Sequence, residues 1–271
     1  MSNYQNWVHT RNPFSKALQK SFVRALMIVS SHRRRLEAYN NDPELNNVYQ
    51  RFGPVARAFE RNYSIWLTTL ARRKRRTQEI VDKLSALTLI LEDWNIRIMV
   101  QYKPSTPTYK ELMRGGRTAF HRGAIDKRIA HLQAFAVLLE PYPNLADVYQ
   151  EVQVFASQLE HWRTEQNQWD EKVRLLSATL SASIPILADH MFKNLGILIF
   201  LYSSDPSMIV RFFDMELIRQ RRGGKSTKPR SLEEEEKEAE RFLESEEGKQ
   251  HEQMVEEIGK GLILDVNIDS A

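Results

Sequence analysis

An eighteen-residue frame occurs twice in this chain, at residues 43–60 and again at 143–160. The first copy carries Pro43, Leu45, Val48, Tyr49, Gln50, Phe52, Val55, Ala56, Phe59 and Glu60. The second carries Pro143, Leu145, Val148, Tyr149, Gln150, Val152, Phe155, Ala156, Leu159 and Glu160. Seven of the eighteen aligned positions are identical, where about one is expected from ordinary residue frequencies. The apolar substitutions keep their phase, and that phase is the three-and-four spacing of a helix face. Self-similarity at a fixed period constrains architecture before any local signal is read. The expectation is an all-α chain: an elongated helical bundle with long coiled-coil-like helices, built from two tandem repeats of about 100 residues.

The totals agree with that expectation. Of 271 residues, 42% are apolar and 27% charged, enough to bury a sizeable core. Ten glycines and ten prolines are few for an all-β fold. There is no cysteine, which excludes disulfides, thiol catalysis and Cys-ligated metal. It suits an intracellular, cytoplasmic location. The net charge of +4 conceals a division. Residues 231–257 hold twelve acids against three bases, a net of −9; residues 258–271 add −1, which leaves +14 on the first 230. An acidic tail on a basic body suggests self-shielding or an anionic partner. The first 36 residues contain seven Lys or Arg and no acid. That composition resembles a mitochondrial transit segment, but the first helix of the repeat explains it better, because Leu36, Glu37 and Tyr39 return as Leu139, Glu140 and Tyr142. The most apolar run, Leu195–Tyr202, is too short to span a bilayer.

In chain order, residues 1–12 read as a frayed N-terminus, 13–101 as the first repeat, 102–116 as a connector and 117–204 as the second repeat. Residues 205–222 read as a short accessory helix, 223–231 as a basic flexible linker, and 232–271 as an acidic helix with a short docking segment. Within the first repeat one helix is expected from Pro13 to Tyr39. Asp42 caps the next, with Pro43 in its first turn. The stripe Leu45, Val48, Phe52, Val55, Phe59, Tyr63, Trp66, Leu70 continues in one register to Ile80, Leu84, Leu87, Leu91, Trp94 and Ile98 if Arg73 and Thr77 are counted in it. One long helix is therefore predicted, with a hairpin near Arg72–Thr77 as the alternative and a possible kink at Gly53-Pro54. The second repeat predicts a helix over 117–140 and a long one from about Pro143 to Leu201, bent at Pro185. Asp205-Pro206 is a third cap and start. Leu232–Glu257 reads as a highly charged helix, single and solvated or docked weakly through its few apolar residues (Phe242, Leu243, Met254, Val255 and Ile258), and Gly261–Ile268 as a short strand-like run. The period is similar to that of three-helix repeats of spectrin type, and the helix lengths to those of membrane-bending crescent dimers. These are likenesses of shape alone.

Three basic clusters are the candidate anion- or partner-binding residues: Arg33, Arg34 and Arg35; Arg72, Arg73, Lys74, Arg75 and Arg76; and Arg221, Arg222 and Lys225. Phosphates of lipid or nucleic acid would suit them. For the central run the competing reading is ion pairing with Glu165, Asp170 and Glu171 on the other long helix. Gly224-Lys225-Ser226 resembles the end of a phosphate-binding loop, but Arg219 stands where the first glycine is needed, and no strand precedes it. Seven scattered histidines show no metal-ligand spacing, and no catalytic residues or cofactors are indicated. Tyr49 and Tyr149, with Gln50 and Gln150, recur at each joint; the ring is expected to pack under the end of the preceding helix and the hydroxyl to bond there, with a repeated peptide-binding groove as the alternative. The function expected is that of a non-enzymatic scaffold or adaptor that binds protein, with homodimer formation possible. An anionic membrane surface is the alternative partner, then nucleic acid; no small-molecule substrate is evident.

Overall fold

The computed structural model describes residues 12–114, 116, 118–218 and 231–245. Among these the chain is all-α, with no strand. The helices are α1 (Pro13–Leu18), α2 (Phe22–Glu37), α3 (Pro43–Gln101), α4 (Pro107–Leu112), α5 (Thr118–His121), α6 (Ile125–Leu139), α7 (Ala146–Leu201), α8 (Met215–Ile218) and α9 (Leu232–Glu244). Two 3-10 segments, three residues at Pro143–Leu145 and seven at Pro206–Phe212, precede α7 and α8.

The chain divides into two units, residues 1–70 with 173–271 and residues 71–172. In the first, α2, the start of α3 and the end of α7 share a core of Leu26, Leu36, Phe59, Trp66, Leu187 and Leu198. In the second, α6 lays Leu132, Phe135 and Leu139 on the seam between the end of α3 and the start of α7, against Leu87, Trp94 and Val152. Within this unit the long helices run antiparallel: as the α3 position rises through Arg73, Thr77 and Trp94, its α7 partner falls through Asp170, Gln166 and Glu151.

The long helix read from one continuous stripe is present, and Pro54 lies inside it without ending it. Where the stripe becomes polar it holds by hydrogen bonds. Gln166, almost buried, donates from Nε2 to Thr77 Oγ1 at 2.7 Å and accepts from Arg163 at 2.6 Å. Asp42 caps α3 as expected, accepting from the amides of Glu44 and Leu45. Tyr49 sends its hydroxyl to Glu37 at the end of α2, at 2.8 Å.

Three expected helix boundaries need correction. The helix read from Pro13 to Tyr39 is two helices, because Ser21, with extended backbone, caps a fresh start and accepts from the Arg24 amide at 3.1 Å. The helix read over 117–140 breaks at Gly123, whose φ of +104° is outside the helical range and open to glycine. Arg128 secures the corner by donating to the Phe120 and Leu84 carbonyls at 2.7 and 3.0 Å. The accessory segment after Asp205 is a seven-residue 3-10 helix followed by four residues of α8 rather than one helix.

Over its described length the acidic helix is solvated on one side, with Glu233, Glu234, Lys237 and Arg241 exposed, and docked on the other. Ser231 and Glu234 form a capping box at its start. One face of α9 then packs on the rest of unit 1 through Ala239, which is fully buried, and the buried Glu235. Glu235 accepts from the Phe22 amide at 2.8 Å, and Glu238 accepts from the Ser21 hydroxyl at 3.0 Å. These carboxylates sit at the N-terminal end of α2, where unpaired amides and the helix dipole favour negative charge. Burial, then the nearby Glu235, keeps the Tyr63 hydroxyl protonated well above the usual tyrosine range. A charge-assisted bond of this kind contributes roughly 1.5–3 kcal/mol. Glu235→Ala should therefore speed hydrogen exchange of the α9 amides by about tenfold or more. Unchanged exchange would show that Glu235 does not hold the helix down. The strand-like run at 261–268 lies outside the described residues.

Candidate functional site

Among the described residues, most of the sequence-selected cations are engaged within their own units. Arg33 pairs with Glu37 at 2.9 Å and Glu60 at 3.0 Å, and Glu60 also accepts from the Ser30 hydroxyl at 2.7 Å. Burial works against the Arg33 charge, but Glu60 and then Glu37 hold its pKa above the ordinary value. Arg34 is exposed. Arg35 donates to the carbonyls of Arg211 and Phe213 at 3.1 and 3.2 Å, with Asp214 at 3.8 Å, and so clamps the segment after α7 onto α2.

The central run divides around the helix. Arg73 reaches Asp170 at 3.4 Å, and Arg76 reaches Glu165 at 2.8 Å and Glu79 at 2.6 Å. Arg75 pairs with Glu79 at 3.1 Å although its side chain is largely exposed. Arg72 and Arg76 lie over the rings of Trp169 and Trp162, 5.4 and 5.5 Å from their centroids. Lys74 is exposed. Glu165 and Asp170, both named from the sequence as partners, are thus in contact, and two Trp rings add cation–π attraction. Arg221, Arg222 and Lys225, with the loop-like Gly223–Thr227, lie outside the described residues. No group of three His, Asp or Glu side chains is placed to hold a metal ion among the described residues.

A surface feature of a different kind lies in unit 2. One flank of the α3–α7 seam is left open as a groove of about 640 Å³. Its floor is the Trp94–Phe155 pair, edge to face with centroids 6.0 Å apart. Leu89 and Val154 stand on its two sides, 74% and 66% exposed. Large apolar side chains left this open, side by side over a concavity, mark contact surfaces more often than scattered ones do. Ile96 and Val100, 60% and 76% exposed, follow Leu89 at helical spacing on α3.

The ends of the groove differ in charge. At one end Lys83 sits over the Phe155 ring, 4.7 Å from its centroid. At the other, one guanidinium serves three carboxylates: Arg97 pairs with Asp93 at 2.7 Å, Asp147 at 3.0 Å and Glu151 at 2.6 Å. Trp94 donates its indole N–H to Glu151 at 2.8 Å. Hydrogen bonds from Arg97 and then Trp94 hold Glu151 below the usual carboxylate range. The Val148 amide, then Arg97, does the same for Asp147. The Arg97 pKa is raised in turn, chiefly by its bond to Glu151. This end keeps an excess of negative charge.

The helical segment Pro143–Leu201 includes a stretch with mean hydropathy of 1.5, long and apolar enough by length and composition to cross a membrane; 39% of it is buried inside the fold. The sequence reading considered only Leu195–Tyr202 and missed this longer stretch. Comparison with protein-family models, with curated proteins and with solved structures finds no match to this chain.

Sequence reasoning selected charge and passed over the groove. A signal existed: Leu89, Ile90 and Val154 are apolar residues left over once the helical stripe has been counted. Which flank of the stripe another helix covers depends on packing, and the groove shows only when that is known. Glu235 had no such signal, being one of four consecutive glutamates at 233–236.

Proposed function

We propose that this chain is a helical scaffold or adaptor that acts by protein–protein contact rather than by catalysis, with the unit 2 groove as its contact surface. The observation that carries the reading is Leu89 and Val154, wide open above the Trp94–Phe155 floor. Aromatic floors beneath exposed aliphatic walls are the material of interaction hot spots. The basic clusters support it less, since Arg33, Arg35, Arg73 and Arg76 spend their hydrogen bonds inside their own units.

On the same reading the chain is one helical module used twice, with a shorter helix leading into a long one: α2 into α3, and α6 into α7. Matching core positions support this: Leu45 and Leu145, Val48 and Val148, Ala56 and Ala156 are all buried. So does a matching polar tie from the shorter helix to the long one. Glu60 accepts from Arg33, and its counterpart Glu160 accepts from Gln133 at 2.9 Å. The module would supply paired seams, and the coiled-coil packing expected of them, as a rigid frame for the groove.

A photo-crosslinking residue placed at Leu89 or Val154 should form a defined protein adduct in cells. The same residue at Val137, equally exposed on α6 but away from the groove, should not. Absence of adducts from both groove positions, or equal yield from Val137, would reject the reading.

A further inference from the structure

We infer that the first occupant of the unit 2 groove is a second copy of this chain, paired with it about a twofold axis through the groove. The inference deepens the scaffold reading and rests on it. The ground is the arrangement of charge. Lys83 lies at one end of the groove and the carboxylate-rich cluster of Asp93, Asp147 and Glu151 around Arg97 at the other, with Leu89 and Val154 between them. Ten residues separate Lys83 from Asp93 on α3, about 15 Å along a helix. A twofold axis between them reverses one copy on the other. Each Lys83 then faces the other copy's carboxylate cluster, and the two Leu89–Val154 walls meet at the centre. A surface that is positive at one end, negative at the other and apolar between is complementary to itself, as an isologous contact requires.

The alternative axis is disfavoured by the same residues. Centring the contact on the exposed stripe of Leu89, Ile96 and Val100 would bring Asp93, which lies within that stripe, close to its own symmetry mate. Like charges would then face one another across the most apolar part of the contact. Paired about Lys83 and Asp93, the groove avoids this.

The test is the association state of the full chain, followed by sedimentation equilibrium from micromolar to hundreds of micromolar. The wild-type chain should form a concentration-dependent dimer that weakens as salt screens its two ends. Leu89→Lys and Val154→Lys should each raise the dimer dissociation constant by about tenfold or more, while Val137→Lys leaves it unchanged. These side chains are exposed, so circular dichroism and the melting temperature should stay as in the wild type. Lys83→Glu should weaken the dimer, and adding Asp93→Lys to it should restore most of the loss. A chain monomeric throughout the range, a dimer indifferent to both lysine substitutions, or a double variant no tighter than Lys83→Glu would each overturn the inference. Crosslinking at Leu89 separates this failure from that of the scaffold reading. An adduct with a different protein and no self-association removes only the self-pairing; no adduct and no self-association removes both.

Discussion

Replacing Trp66 with alanine should destabilise the chain by about 3–5 kcal/mol, read as a loss of unfolding free energy in urea. Trp66 is fully buried in unit 1. Its ring meets Phe22 edge to face with centroids 5.6 Å apart, and lies against Tyr63 at 5.7 Å. Its indole N–H donates to the Ser177 hydroxyl at 2.8 Å, and that hydroxyl donates to the Val173 carbonyl at 2.8 Å. One side chain therefore joins α2, α3 and α7 through both its ring and its polar edge. Alanine would leave a cavity where the three helices meet. Two further variants separate the contributions. Trp66→Phe keeps most of the ring and loses the hydrogen bond. Ser177→Ala keeps the ring and leaves the indole donor buried without this acceptor, at about 1–3 kcal/mol. A loss below about 1 kcal/mol for Trp66→Ala would mean that these helices are not packed as described.

The second large effect is acid destabilisation through His32. This side chain is buried between α2, α7 and the turn after α7. Its Nδ1 lies 2.8 Å from the Phe212 carbonyl, which can only accept, so Nδ1 carries the hydrogen. Its Nε2 accepts from the Asn194 amide at 3.0 Å. The ring stacks on Phe213 with centroids 4.5 Å apart, and meets Phe52 at its edge. Burial therefore pulls the pKa down from 6.5 to about 4, with the Phe212 carbonyl opposing and Arg35 assisting.

The unfolded chain takes up a proton near pH 6.5 that the folded chain refuses until about pH 4. In that window the unfolded state binds more protons, so stability falls as the pH falls, by about 3 kcal/mol in all. Above pH 7 His32 adds no slope, and below pH 4 its loss levels off. Asp126, Asp147 and Glu151, all in unit 2, have lowered pKa values and also lose stabilisation as the pH falls. The His32 share is thus the difference between wild type and His32→Gln. The variant should be less stable at pH 7 and should show a clearly shallower decline between pH 6.5 and 4. Equal slopes would show that His32 is protonated, or exposed, in the native state.

The readings that succeeded were those whose cause is local or periodic. The passage of α3 through Arg73 and Thr77 could be read because a hairpin has no reason to preserve helical phase, and the hydrogen bond from Gln166 to Thr77 supplies what the polar positions need. The caps at Asp42 and Asp205 could be read for the same reason, since a carboxylate next to proline satisfies amides two or three residues ahead. The breaks at Ser21 and Gly123 were lost because the apolar stripe runs on past both, and periodicity does not register one residue leaving the helix. His32 stood in a basic run, His32–Arg35, and nothing nearby distinguished it from its exposed neighbour Arg34.

By itself, the sequence determined that the chain is helical, where the long helices start and which face of each is greasy. Those properties follow from hydrogen bonds and side-chain spacing within a few turns of one helix. Only tertiary structure decided that α9 would anchor its carboxylates on the first turn of α2, that His32 would lose its charge, and that one flank of the α3–α7 seam would stay open. Each depends on which residues from distant parts of the chain share a dry contact, and local periodicity carries no record of that choice.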